Sequence, residues 1–493
     1  MAIGSFAQLI VFFLVVGLIG ALTWWQCRAP HARSKDDSRE FFLASGGLTW
    51  AYVAGSITIT NLGTEQLVGN NGGQTLILAW WELAGFVGLL ILALVFVPIY
   101  YRNNCTTTTE LLERRYNDDR IRTMISVLFM SGYVFISMPS ALYTGSLFLQ
   151  SVFGIQAPQM VLGTGIALVG GCYGLLGGLR AVAISETFAG AGLLVICSAL
   201  VILALNAVNF DLSGIPAERV TLVGGPDSPV PWPTLFTGML FIQIFYWSTN
   251  QAITQRAMAS PTIREAQKGV LAAAAIRILI VPAIVVLPGV VAYKLYGDIG
   301  DRAFGTLIGQ LLPPWLSGVF AAILLTSVAT HFVAVLNSAA ALYVCDIHQK
   351  YVNPNASVGR VNAIVSAICI VTAIGMIPVY SNATSIINLL QQINGLLSMP
   401  ILSAFIVGLL FADVAAMAAI SGVVFGVLLY AFFTFVYAPF GLHYIHLMLV
   451  TLVLTVGFAL TVNRVIFGRR ARFTGFRAAF SGPVETASGV AGR

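Results

Sequence analysis

Charge is scarce in this chain. Of its 493 residues, 9% are Asp, Glu, Lys or Arg and 58% are hydrophobic, whereas a soluble domain carries about 25% charged residues. So few charges could not coat a water-facing surface, which excludes a soluble globular protein. The strict alternation of a barrel strand is also lacking. Runs such as LLILALVFVPI exclude an outer-membrane barrel. The six cysteines (Cys27, Cys105, Cys172, Cys197, Cys345 and Cys369) have no metal-ligand spacing, so neither a metal centre nor a disulfide framework is expected. There is no phosphate-binding glycine motif, so no nucleotide chemistry is expected, and the chain reads as a non-enzyme. The longest polar loop, roughly 208–232, is too short and too rich in Pro and Gly to fold alone.

What is present is a series of apolar windows. About 13 windows of membrane-spanning length follow one another, which predicts an all-α polytopic membrane protein. The first, FAQLIVFFLVVGLIGALTWW, lacks the basic start and cleavage site of a signal peptide and reads as a span. If the N-terminus is outside, the inner segments hold 20 basic residues and the outer loops hold Arg219, Lys294 and Arg302. That bias predicts an inside C-terminus and assigns the net charge of +6 to topology rather than to nucleic acid. The basic run GRRARFTGFR would face lipid headgroups. The organisation expected is one transmembrane domain over 1–467, with a core at about 48–412 and a mobile cytoplasmic tail at 468–493. In YYRNNCTTTTELLERRY, the threonines read as a helix cap.

Two apolar spans are interrupted by polar residues. ITITNLGTEQLVGNNGGQ, residues 57–74, carries Asn61, Glu65, Gln66, Asn70, Asn71 and Gln74; FYWSTNQAITQR, residues 245–256, is the other. These are the second and seventh spans, five apart. That interval marks the discontinuous first helices of a five-plus-five inverted repeat, where a polar solute or a cation binds near the midplane. Polar residues can also simply join helices, and glycines let them approach. Glu65 and Gln66 together with Glu82 tip the reading towards function, because an intramembrane carboxylate usually marks a pathway or a pair.

TNLGTEQLVGNNG, FYWSTNQAITQRAMA, EAQKGVLAAAAIR, VVLPGVVAY, VLNSAAALYVCDIHQKY and LLQQINGLLSMPILSAFIVGLLF, in that order, resemble the sodium/solute symporter family, in particular its sugar-transporting branch. The resemblance implies the LeuT-type inverted-repeat fold and a cation-coupled symporter that imports a sugar or sugar derivative by alternating access. By position it places Gln66, Glu82, Gln243, Tyr246, Trp247 and Gln391 at the sugar, with Asn61 bracing the gating Tyr246. Gln243 stands where the family has Asn, and Gly85 where it has a hydroxyl. Arg277 is nearest to a basic sugar contact of the family. It could bind substrate, pair with Glu82 or Glu65, or reach the membrane surface. An amide-rich site with aromatic faces suits a pyranose ring.

The same resemblance places a cation site at the carbonyls of Ile59, Leu62 and Ser327 and at Thr330 and His331, with Glu186 on the exit path. His331 stands where the family has a serine. An imidazole is a poor sodium ligand and titrates near neutrality, so the expectation is coupling to H+, with Na+ as the alternative ion. No other cofactor is expected, and the partners are a small solute, the coupling cation and membrane lipids. Rival readings are a symporter of a small carboxylate or amino acid and, from another class, a channel or membrane sensor.

Overall fold

The computed structural model of the chain describes residues 10–18, 21, 47–381, 385–437 and 439–476. Much of the expected first span, the basic segment 28–46, the side chains of Ile59 and Arg180, and the tail beyond 476 lie outside the described residues.

Apolar windows with no room to solvate a backbone must close their hydrogen bonds internally, and helices do so. In chain order they are α1 (Trp50–Asn61), α2 (Thr64–Gly72), α3 (Leu76–Arg102), α4 (Thr108–Tyr116), α5 (Asp119–Phe153), α6 (Gln159–Ala207), α7 (Gly238–Ser248) and α8 (Gln251–Met258). There follow α9 (Ile263–Tyr296), α10 (Ala303–Leu311), α11 (Pro314–Val352), α12 (Val358–Tyr380), α13 (Ile386–Leu410), α14 (Ala416–Phe435) and α15 (Tyr444–Val465). Among the described residues, nine helices are long and apolar enough to span a membrane. The expected spans near 60 and 243 are each broken in two, as α1/α2 and α7/α8.

Three local expectations differ. Two of the 13 apolar windows, one on either side of Arg180, share one helical backbone, Gln159–Ala207. No proline removes a donor from that stretch, and its 49 residues measure about 73 Å at 1.5 Å each, more than one bilayer crossing requires. The threonines before α4 do not cap it through their side chains. Glu110 instead reaches back to the Thr106 N–H at 2.7 Å, and Thr107 and Thr109 bond to the buried Asp346. The tail is anchored at its start. Arg472–Phe473 (β2) pairs antiparallel with Phe411–Ala412 (β1), and Arg472 Nε meets Asp413 Oδ2 at 2.7 Å.

The breaks are central. α1 packs on α6 and α9, while α2 packs on α5, α9 and α10. α6 packs broadly against α11, and α1 sits against this continuous helix. Asn71 explains part of the polarity of α2. Pro288 interrupts α9 and cannot donate to the Ile284 carbonyl. Asn71 Nδ2 donates to that carbonyl at 3.3 Å, and Asn71 Oδ1 accepts the Gly289 N–H at 2.8 Å. A Cβ at Gly289 would come within 2.1 Å of the Asn71 carbonyl oxygen, so only glycine allows this approach.

Candidate functional site

Asn61, Glu65, Gln66, Glu82, Tyr133, Gln243, Tyr246, Trp247, Asn250, His331, Gln391 and Asn394 contribute to one cavity between the two breaks. They come from α1, α2, α3, α5, α7, α11 and α13, with Asn250 at the second break. Phe129 and Phe245, ring planes 12° apart and centroids 5.9 Å apart, give the cavity an apolar wall. Seven of the eight sequence-predicted substrate residues line it: Asn61, Gln66, Glu82, Gln243, Tyr246, Trp247 and Gln391. Trp247 is almost fully buried at its edge, and Arg277 lies behind it.

Arg277 is committed within the protein. Its guanidinium forms an ion pair with Glu82, both side chains 1% exposed. It also lies 4.4 Å over the Trp247 ring. With the Asn61 amide oriented to satisfy both ends, its oxygen accepts from Arg277 at 2.9 and 3.0 Å and its nitrogen donates to the Tyr246 hydroxyl at 2.7 Å. Trp247 Nε1 donates to Gln243 Oε1 at 2.8 Å, and Gln243 Nε2 donates to the Trp81 carbonyl at 2.8 Å. Gly85 is where this stack passes α3. A Cβ there would meet Trp247 Nε1 at 2.9 Å and Arg277 Cδ at 3.4 Å. Gln66 Oε1 accepts from Asn70 Nδ2 at 2.8 Å.

The first break lies at Leu62–Gly63. Gly63 is extended, at φ −81° and ψ 178°, with no side-chain cap on α2. The Glu65 carboxylate folds back over this glycine: a Cβ would stand 2.6 Å from Glu65 Oε2 and would displace it. The Leu62 carbonyl accepts from Ser327 Oγ at 3.5 Å, and Thr330 Oγ1 donates to the Ser327 carbonyl at 3.1 Å. His331 Nε2 reaches Glu65 Oε1 at 2.9 Å. Glu186 stands apart from the cavity, held by Arg256 at 3.1 Å and by Ser56.

The second break is Thr249–Asn250. Asn250 Oδ1 caps the Ala252 N–H at 3.0 Å, and the Tyr133 hydroxyl donates to Asn250 Oδ1 at 2.6 Å. Sequence reading did not single out Tyr133, Asn250 or Asn394. An Asn just before a helical segment was the available cue for Asn250.

This geometry can bind a small polar solute through amides, a phenol and aromatic faces. Among the described residues no group of three or more His, Cys, Asp or Glu could hold a metal ion.

Similarity to known proteins agrees with that reading. The chain is 32% identical to the uncharacterized symporter YidK of Escherichia coli, over 96% of this chain and 86% of that protein. It is 29% identical to the sodium/glucose cotransporter of Vibrio parahaemolyticus, over 92% of this chain and 89% of that protein. It is 27% identical to the mouse sodium/myo-inositol cotransporter 2, over 86% and 68%. Its backbone resembles the substrate-bound outward-open structure of a Na+-coupled sialic acid symporter. The TM-score is 0.78 at 16% identity, over 95% of this chain and 99% of that one, a likeness that concerns the fold. The sequence profile of the sodium:solute symporter family matches residues 41–426, and the chain belongs to that family of cation-coupled membrane symporters, which are transporters rather than enzymes.

Proposed function

We propose that this symporter imports an uncharged sugar or polyol, bound between the two breaks and released inward by alternating access. The observation that carries the reading is the fate of Arg277. Its charge is taken up by Glu82, Asn61 and the Trp247 face. A carboxylate substrate would have to pull that pair apart, which costs several kcal/mol when one partner is left buried alone. Gln66, Gln391 and Tyr246 remain to meet hydroxyls, with the Phe129–Phe245 wall for CH faces. The glucose and myo-inositol cotransporters among the relatives support the same solute class. The expected setting is a bacterial inner membrane with a cytoplasmic C-terminus, 1–467 forming one domain and 468–493 a tail. The coupling cation, H+ or Na+, binds beside the first break, with His331 favouring H+.

The test is equilibrium binding and counterflow of D-glucose, D-galactose and myo-inositol against pyruvate and L-proline. One of the uncharged solutes should exchange, and Gln66→Ala should weaken its binding about tenfold, from roughly 1–3 kcal/mol of lost hydrogen bonding. Competition by pyruvate or proline alone would replace this reading with that of a carboxylate or amino-acid symporter.

A further inference from the structure

The second break is capped by the neutral side chain of Asn250, whereas the first break carries a charged group that is incompletely satisfied. Glu65 is 13% exposed and His331 5%, and their contact of 2.9 Å joins α2 to α11 across the cavity. Glu65 Oε2 has no hydrogen-bond partner among the described residues. It lies over Gly63, where a Cβ would be 2.6 Å away. A buried carboxylate with one idle oxygen is costly unless it is neutralised. A pair of this kind inside a membrane span, at the unwound part of a broken helix, has the attributes of an ion-coupling site. The imidazole makes the pair titratable near neutrality, which an arginine in its place would not be.

We propose that Glu65 and His331 together form a proton-binding site, and that its occupancy ties the outer arm of the broken helix, α2, to the long helix α11. This rests on the symport reading and names its coupling ion. In the loaded state His331 carries the proton, its Nε2–H donates to Glu65 Oε1, and the pair is neutral overall. On unloading, the N–H bond breaks and the proton passes to cavity water and then to the cytosol. A single negative charge is left beside the Leu62–Gly63 break, and the tie to α11 weakens. Nothing is oxidised or reduced. The proton enters and leaves through the cavity that the pair lines, so solute and proton share one path.

The strong charges on the neighbouring helices are paired with one another. From α7, Tyr246 interacts with Glu65, and Tyr133 of α5 and Arg256 of α8 lie within electrostatic reach of Tyr246. Arg256 is committed to Glu186 of α6, and Glu82 of α3 to Arg277 of α9. At the far end of α2, Asp301 approaches Gly72, with Arg302 next to it and Tyr143 of α5 nearby. On α11 itself, Asp346 at the cytoplasmic end is paired with Arg122 of α5 at 2.6 Å, and Lys350 with Glu113 of α4. The described parts of α10 and α13 bring no charged group to the pair.

Two measurements on the full-length protein in bilayers test this. The first uses protons alone: a pH titration followed by infrared difference spectroscopy, without solute or sodium. Wild type should show carboxylate and imidazole signals titrating together between about pH 5 and 8. Glu65→Gln should remove the carboxylate signal, and His331→Gln should remove the imidazole signal and displace the carboxylate one. Signals unchanged in both variants would overturn the proposal. The second uses wild type only, so it does not depend on whether a variant folds. Uptake of D-glucose or myo-inositol into sodium-free proteoliposomes should acidify the lumen. Uptake that requires sodium and leaves the lumenal pH unchanged would also overturn it. If neither solute is transported under any gradient, the failure belongs to the solute assignment, and the infrared titration still decides the pair.

Discussion

The two breaks occupy equivalent places in the two halves of the molecule, yet they are stabilised by different chemistry. At Thr249–Asn250 a neutral side chain caps the second arm, and the Tyr133 hydroxyl locks that cap by donating to Asn250 and accepting from Ala252. At Leu62–Gly63 no side chain caps the second arm, and the nearest strong interaction is the Glu65–His331 bridge to another helix. A network of neutral groups holds its shape over the physiological pH range. A bridge containing histidine changes strength within it. The contrast assigns a fixed role to the second break and a responsive one to the first.

Arg277 supports both breaks at once, through Asn61 at the end of α1 and Trp247 near the end of α7. Arg277→Met should therefore have the largest effect, about 3–5 kcal/mol of stability, because Glu82 is left charged and buried. Adding Glu82→Leu should recover most of that loss in a thermal-unfolding assay while leaving solute binding impaired. A single variant as stable as wild type would show that the two breaks do not share this support.

Asn71→Ala sharpens the comparison from the side of the first break, at α2. It removes the partners of the Ile284 carbonyl and the Gly289 N–H together. The expected loss is about 2–4 kcal/mol, concentrated on α2 and α9 and sparing α8. Hydrogen exchange resolved by segment would detect the opposite pattern.

The α2 arm also ends on a titratable group. Asp301 Oδ2 accepts the Ile386 N–H at 3.2 Å, and burial pushes its carboxyl up to about 6. Because the folded pKa is raised, the folded protein holds this proton more firmly than the unfolded chain. The resulting stabilisation is complete below the ordinary aspartate value, near 3.8, and is lost as pH rises through about 6. The difference in stability between wild type and Asp301→Asn should drift by about 2 kcal/mol between pH 4 and 7. A difference that stays constant across that range would remove Asp301 from the account.

The smallest effect belongs to the second break. Asn250→Ala should cost about 1 kcal/mol, the usual value of an N-cap, with no dependence on pH between 6 and 8. A pH-dependent cost would blur the contrast between the breaks.

Much of this was legible in the sequence. Amides and a carboxylate inside apolar runs marked both breaks, because lipid tolerates such groups only where protein or water receives them. The candidate solute residues were recognisable by type and order, and the sequence left Arg277 with several partners, from which packing selected Glu82. The partner of His331 was not legible. Glu65 lies on the arm beyond the break, and its direction depends on how Gly63 turns the chain. The four threonines looked like a cap because Asp346, which binds Thr107 and Thr109, lies more than 200 residues away. The continuous backbone of α6 was hidden by Arg180, a basic residue that read as an inner connection between two spans.

The most direct test of the contrast is backbone hydrogen exchange at the two breaks, at pH 6 and pH 8, corrected for the intrinsic rate. The account predicts that protection of residues 60–66 falls as the pH rises and the Glu65–His331 bridge loses its proton, while protection of residues 247–253 stays the same. Equal change at both breaks, or no change at the first, would contradict it.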